Sequence, residues 1–211
     1  TSIEGSVFYG CTSLTEITIP DSVTSIWSSA FRGCSSLTEI TIPDRVTSIG
    51  DSAFYSCTSL TEITIPDSVT NIEGFVFTDT PWLTAKQEEN PLVILNGTLI
   101  DGTTCTGSVT IPDGVTSIAG GAFDSCTGLT AIAIPKSVTS IGDSAFYRCT
   151  SLTEITIPDS VTSMGDYVFD GCTGLTKVTM PDSITSISDY AFRSCTGLTE
   201  VTIPDSVTSI G

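Results

Sequence analysis

Leu37-Thr38-Glu39-Ile40-Thr41-Ile42-Pro43-Asp44-Arg45-Val46-Thr47-Ser48-Ile49-Gly50-Asp51-Ser52-Ala53-Phe54-Tyr55-Ser56-Cys57-Thr58-Ser59 is the stretch that decides the fold, because its spacing recurs along most of the 211 residues. Three residue types keep the same 23-residue period independently. The phenylalanines fall at Phe8, Phe31, Phe54, Phe77, Phe123, Phe146, Phe169 and Phe192. The cysteines fall at Cys11, Cys34, Cys57, Cys126, Cys149, Cys172 and Cys195, and the prolines run in step from Pro20 to Pro204. A fixed period of this length marks a repeat architecture and overrides any domain estimate from length alone.

Within the unit, Ile40-Thr41-Ile42 alternates and is β-branched, which predicts a short strand with one face buried. Pro43 ends it, since proline has no N–H to donate to a continuing ladder. Val46 to Ile49 reads as a second extended piece. Gly50 permits a turn, and Asp51-Ser52 is placed to cap one helical turn carrying Ala53, Phe54 and Cys57 inward. The apolar ring of a single coil cannot offset the entropy of ordering 23 residues. Stacked coils share that ring and pair their strand amides in a parallel ladder, so stability belongs to the array.

The pattern Leu-x-x-Ile-x-Ile-Pro-x-x-Val-x-x-Ile-Gly-x-x-Ala-Phe-x-x-Cys resembles the BspA-like subclass of leucine-rich repeats, clearly over residues 1–77 and 109–211. The resemblance implies a right-handed, mainly β solenoid with a parallel sheet of short strands and short helical turns. It also implies an extracellular or cell-surface protein engaged in recognition or adhesion, binding proteins or glycans.

The chain reads as one solenoid domain over 1–211, regular over 1–78 and 108–211, with an irregular insert at 79–107. In the insert the inward columns fall on Lys86 and Glu88, and unpaired charges are almost never buried, so residues 84–90 cannot form an inward-facing strand. Leu92 to Leu95, Asn96-Gly97 and Thr98 to Ile100 carry the signature of a two-residue β-hairpin. Phase returns at Val109. The sequence opens and closes in mid-unit without polar caps, a signal peptide or eighteen consecutive apolar residues, which reads as a fragment of a longer protein, with end-to-end self-association through uncapped coils as a further expectation. There is no sign of direct membrane insertion.

The net charge of −17 and the lack of a basic patch argue against nucleic acid and anionic lipid surfaces. The acid lies in columns. Glu16, Glu39, Glu62, Glu154 and Glu200 form one, which Lys177 interrupts; Asp21, Asp44, Asp67, Asp113, Asp159, Asp182 and Asp205 form another, interrupted by Lys136. These columns read as solvated ladders, with weak multivalent capture of calcium or a basic partner as the sharper alternative. The eight cysteines read as reduced packing residues, because a linear column does not converge on a metal; Cys105, two residues off the column, is expected to be more exposed. There is no histidine, which removes Ser-His and Cys-His nucleophilic pairs. No cofactor, metal site or catalytic residue is assigned.

The candidate binding surface is the outward face of the first strand: Glu16, Thr18, Glu39, Thr41, Glu62, Thr64, Glu154, Thr156, Lys177 and Glu200. Trp27, standing where glycine or a small residue is usual, and Trp82 at the insert join it as aromatic anchors. The two functions in view are a non-catalytic recognition or adhesion module and a purely structural spacer presenting another domain.

Overall fold

Each regular coil closes its first corner at a Pro-x-x-Val or Pro-x-x-Ile stretch, where the Val46 N–H donates to the Pro43 carbonyl at 3.0 Å; the same turn recurs at Val23 to Pro20, Val69 to Pro66, Val138 to Pro135 and Val161 to Pro158. Proline suits the first position of such a turn because its carbonyl, not its missing N–H, is what the turn needs. The computed structural model describes all 211 residues, as two compact units, Thr1–Asn90 and Pro91–Gly211. The boundary falls inside the segment read as the insert.

In the first unit, β1 (Ser2–Ile3), β2 (Ser25–Ile26), β4 (Ser48–Ile49) and β6 (Asn71–Ile72) form a parallel sheet, and β3 (Glu39–Thr41) pairs with β5 (Glu62–Thr64) in a second. Every register step is 23 residues: Ser25 faces Ser48 and Ile40 faces Ile63. The two coils that hold β3 with β4 and β5 with β6 thus contribute to both ladders, and those of β1 and β2 to one.

The expected helical turn takes the form of overlapping turns, with no α-helix. Along Ser52 to Cys57 the amides alternate. Tyr55 and Cys57 donate within the coil to Ser52 and Phe54, whereas Ser52, Phe54 and Ser56 donate to Gly74, Val76 and Thr78 of the next coil. Ser52 and Ser56 adopt φ of 55°, in the left-handed region, so neither Asp51-Ser52 capping nor a right-handed helix is compatible with this path. Sending every second amide to the neighbouring coil is what bends the backbone out of the helix.

The residues that could not form an inward strand do form a helix, α1 (Pro81–Glu89). Thr80 is its N-cap, accepting from the Leu83 N–H at 3.2 Å, and Pro81 opens the first turn, where its lost N–H costs nothing. Lys86 and Glu89 pair on its outer side at 2.9 Å. Trp82 points inward, 8% exposed, with its ring 4.7 Å from Phe77, and so continues the stacked column Phe8, Phe31, Phe54, Phe77 whose centroids lie 5.2 to 5.8 Å apart.

The second unit opens with the predicted hairpin: β7 (Val93–Leu95) runs antiparallel to β8 (Thr98–Asp101), and Asn96 and Gly97 both have positive φ, as a type I′ turn demands. β8 then pairs in parallel with β10 (Ser117–Ile118), followed by β12 (Ser140–Ile141) and β14 (Ser163–Met164). The second ladder joins β9 (Gly107–Thr110), β11 (Leu129–Ala133), β13 (Glu154–Thr156), β15 (Lys177–Thr179) and β17 (Glu200–Val201), and β16 (Ser186–Ile187) pairs with β18 (Ser209–Ile210).

The hairpin coil recovers phase by steps. Leu99 faces Ile118, 19 residues on; the Gly102 N–H donates to Ala122 as a phenylalanine N–H does elsewhere; Cys105 lies 21 residues before Cys126; and Val109 faces Ile132 at the full 23, after a bulge between Leu129 and Ala131. Cys105 is therefore the column cysteine of this coil, and the expectation that it is exposed is wrong: it is 4% exposed, because the offset in sequence is absorbed by the hairpin. Gly102 occupies the phenylalanine position, and a Cβ there would overlap the Phe123 ring.

Two stability outcomes follow from these packings. Phe54→Ala removes a fully buried ring stacked on both sides and should cost about 3–5 kcal/mol in chemical denaturation. Gly102→Ala should lower the unfolding midpoint although alanine is the better local former, and combining it with Phe123→Leu should recover part of the loss; an unchanged midpoint for Gly102→Ala would contradict the packing.

Candidate functional site

The outward positions of the first-strand ladder are set by strand alternation. Ile40, Ile155 and Val178 turn inward and are buried, which obliges Glu39, Thr41, Glu154, Thr156, Lys177 and Thr179 to face solvent. Register converts this into columns: Glu39 faces Glu62 and Thr41 faces Thr64, while Lys177 stands between Glu154 and Glu200. Adjacent strands lie about 4.8 Å apart, where two carboxylates in water repel by roughly 0.9 kcal/mol before salt screens them. Inserting Lys177 reverses the sign of that interaction at two contacts.

In the first unit Glu16, Thr18, Glu39, Thr41, Glu62 and Thr64 line one open groove of about 820 Å³, floored by Ile17, Ile40 and Pro43 and joined by Asp21. In the second unit Glu154 and Thr156 line a groove of about 580 Å³ with Lys136, Asp159 and Thr179. Lys177 and Glu200 are exposed on the adjoining strands. The first groove is purely acidic at its charged positions; the second carries a lysine among its acids.

The aromatic candidates separate. Trp27 is 52% exposed, in a notch of the first unit distant in register from the acidic groove. Trp82 is removed from the candidate surface by its burial against Phe77; the residue ends an aromatic column and presents little face to solvent.

Sequence reasoning missed one charged cluster. Asp170 is buried and accepts from Arg193 at 2.7 and 3.0 Å, and the guanidinium lies over Tyr167 and Tyr190, whose rings stack 4.8 Å apart. The signal was present: Tyr147, Asp170 and Arg193 share one column, so a buried acid has a cation one coil away.

The thiols are placed for packing. Cys57, Cys149 and Cys172 each donate to the carbonyl of the phenylalanine one coil back, at 2.9 to 3.1 Å, and that carbonyl already accepts the amide of its own coil's cysteine. Burial, followed by the neighbouring Cys34, pushes the Cys57 thiol up to about 12; burial likewise raises Cys105 to about 11 and Cys195 to about 12. The Cys149 thiol is raised chiefly by its hydrogen bond with Cys172. No three histidine, cysteine, aspartate or glutamate side chains come together to hold an ion, and no helix is long and apolar enough to cross a membrane.

Comparison with known proteins agrees with this architecture. The profile of the BspA type leucine rich repeat region matches residues 1–96 and 100–211, in six copies. No curated protein matches the chain. Among solved structures, a leucine rich cell surface protein of Faecalibacterium prausnitzii is 29% identical, with 98% of this chain and 68% of that one covered and a TM-score of 0.49. The leucine rich repeat protein of T. pallidum is 27% identical, covering 93% and 70%, TM-score 0.46. The pneumococcal vaccine antigen PcpA is 19% identical, covering 89% and 66%, TM-score 0.43.

The thiol geometry predicts that, of eight cysteines, only exposed Cys11 reacts at once with a disulfide reagent at pH 8, half-buried Cys195 more slowly, and the rest after unfolding. A thiol whose folded pKa lies above its unfolded value keeps the proton in the native state while the unfolded chain ionises. Stability is thus full below about pH 9 and declines as pH rises from 9 towards 12. Replacing Cys57 by alanine should flatten that decline in a pH series of melting curves, and rapid labelling of Cys105 would contradict its placement.

Proposed function

The chain belongs to the BspA-type leucine-rich repeat family, and on that premise we propose that it is a non-catalytic recognition or adhesion module of the cell surface or extracellular space, taking its partner along the outward strand face. The solved structures it is similar to include a leucine rich cell surface protein and a vaccine antigen, and that setting supports the compartment. The observation that carries the reading is the convergence of Glu16, Thr18, Glu39, Thr41, Glu62 and Thr64 on one groove in the first unit.

The chemistry of that groove favours one partner class. Carboxylates repeat at the strand spacing with threonine hydroxyls beside them, and no lysine or arginine lines it. An extended basic protein segment, with cations every second residue, meets such a ladder at several points at once, and weak contacts summed over coils give useful affinity through effective concentration. An acidic glycan would meet repulsion there. Glu154, Thr156, Lys177 and Glu200 offer a mixed-charge face of the same construction, suited to a different segment of the partner.

Binding of a lysine- and arginine-rich decapeptide to the immobilised chain tests this. Glu16→Gln, Glu39→Gln and Glu62→Gln together should weaken capture about tenfold or more. The control triple Asp113→Asn, Asp182→Asn and Asp205→Asn removes the same net charge elsewhere and should leave it within about twofold. Equal losses in both triples would mean that net charge alone attracts the peptide. No capture by the parent chain would leave the spacer reading in its place.

A further inference from the structure

Trp27 belongs to a column that the recognition face does not use: Glu4, Trp27, Gly50 and Glu73 stand one coil apart, each just after a strand of the β1-β2-β4-β6 ladder. Every other coil has a small residue or a glutamate there, except the hairpin coil, where the register places Ile100. A tryptophan left 52% exposed at such a position keeps a large apolar face in water, against the preference of that side chain for burial.

Gly50 makes the space beside it. A Cβ at residue 50 would press on the Ser28 and Trp27 backbone at 2.6 and 2.9 Å, so the coil between Trp27 and Glu73 can carry no side chain. The result is a notch of about 290 Å³ lined by Trp27, Ser28, Ser48, Gly50, Asn71 and Glu73, with Gly5 and Ile26 behind. Glu73 is held in place: one carboxylate oxygen accepts the Asp51 N–H at 2.9 Å, which fixes the group and leaves its other oxygen available. Glu4 precedes the lining residue Gly5 and Asp51 follows the lining residue Gly50, both acidic, and no lysine or arginine lines the notch.

An aromatic face, an anchored carboxylate and neutral oxygen acceptors around a space of this size match one ligand chemistry. We propose that the notch binds a primary alkylammonium group, specifically the lysine side chain of a protein partner. The cation is drawn to the indole face, its charge is met by Glu73, and its three N–H donors find the Asn71 side chain and the Ser28 and Ser48 hydroxyls. A quaternary ammonium would leave those acceptors without donors and calls for a cage of several aromatic rings. A guanidinium would meet a carboxylate with one oxygen already engaged and so forgo the parallel two-oxygen pairing that most favours it. This inference goes beyond the groove reading and stands or falls separately, because none of the notch residues lines the groove.

The chain holds two tryptophans, and the indole N–H of exposed Trp27 gives its own NMR signal, identified by its loss in Trp27→Phe. Titration of the full chain with Nα-acetyl-lysine methylamide should move the Trp27 indole and Gly50 amide signals saturably. Glu73→Gln should weaken the apparent affinity about fivefold, and raised salt should weaken it further. The Nε-acetylated compound, without the charge, should move neither signal. Equal shifts from the acetylated compound, shifts from a methyl glucoside in place of lysine, or no shift from lysine at millimolar concentration would each overturn the proposal. The Glu16, Glu39 and Glu62 glutamine triple should leave this titration unchanged, which separates its failure from that of the groove.

Discussion

Peptide groups at the edge of each coil have nowhere to go but the neighbouring coil, and this single constraint shapes the rest. Beside the Ser-Ile strands the amides donate backward, as Thr47 does to Thr24 and Gly50 to Ile26; at the end of the Ile-Thr-Ile strands they donate forward, as Ile42 does to Thr64; and in the turns every second amide donates forward, as Phe54 does to Val76. Side chains reinforce the same direction: Thr47 and Thr139 hydroxyls add a bond to the carbonyls their own amides use, and Ser68 and Ser160 reach back to Val46 and Val138. A buried amide left unpaired costs about as much as several good contacts contribute. The backbone therefore adopts whatever local conformation satisfies the pairing. Phe75, Tyr167 and Tyr190 sit at φ of 56° to 57°, where other coils place serine or glycine, and bulky residues there are strained. Pairing between coils outweighs that local preference.

This ordering of forces explains what could be read in the sequence. Columns of Ile, Phe, Cys and Pro report long-range stacking directly, since each repeats because its neighbour does, and Asn96-Gly97 reports a turn through residues that tolerate positive φ. The turn at Ser52 to Cys57 was misjudged because its helical spacing is a local signal, and the amides there answer to the next coil. Cys105 was misplaced because phase was counted along the chain, whereas Gly102, the hairpin and the Leu129 bulge return it to the column in space. The helix at Pro81–Glu89 carried an ordinary start signal in Thr80-Pro81, passed over because residues 79–107 read as an irregular insert once an inward strand was excluded. Of the candidate site, the alternation that exposes Glu39 and Thr41 was legible; the burial of Trp82 against Phe77 was not, since an aromatic residue at a splice looks the same whether it faces inward or outward.

Because coil-to-coil cohesion rests on the backbone, threonine and serine hydroxyls and an inward apolar ring, the outward acids and lysine of the Ile-Thr-Ile strands are free of structural duty. The column Glu39, Glu62 and the column Glu154, Lys177, Glu200 exchange charge without disturbing register. Such freedom allows recognition to vary coil by coil on an unchanging frame.

The freedom ends where a column turns partly inward. Asp170 is nearly buried, and a lone carboxylate there would be costly; the Arg193 guanidinium one coil on meets it and rests on Tyr167 and Tyr190. Arg193 spans from solvent to the acid, so the charge is accommodated by a pair across coils and not within one. A fully buried charge such as Asp170 is therefore accommodated in this column through a partner on the adjacent coil, whereas in the strand-face columns each coil can change alone. That difference, set by how far each column points from the apolar ring, separates positions open to new binding chemistry from those that must first keep two coils together.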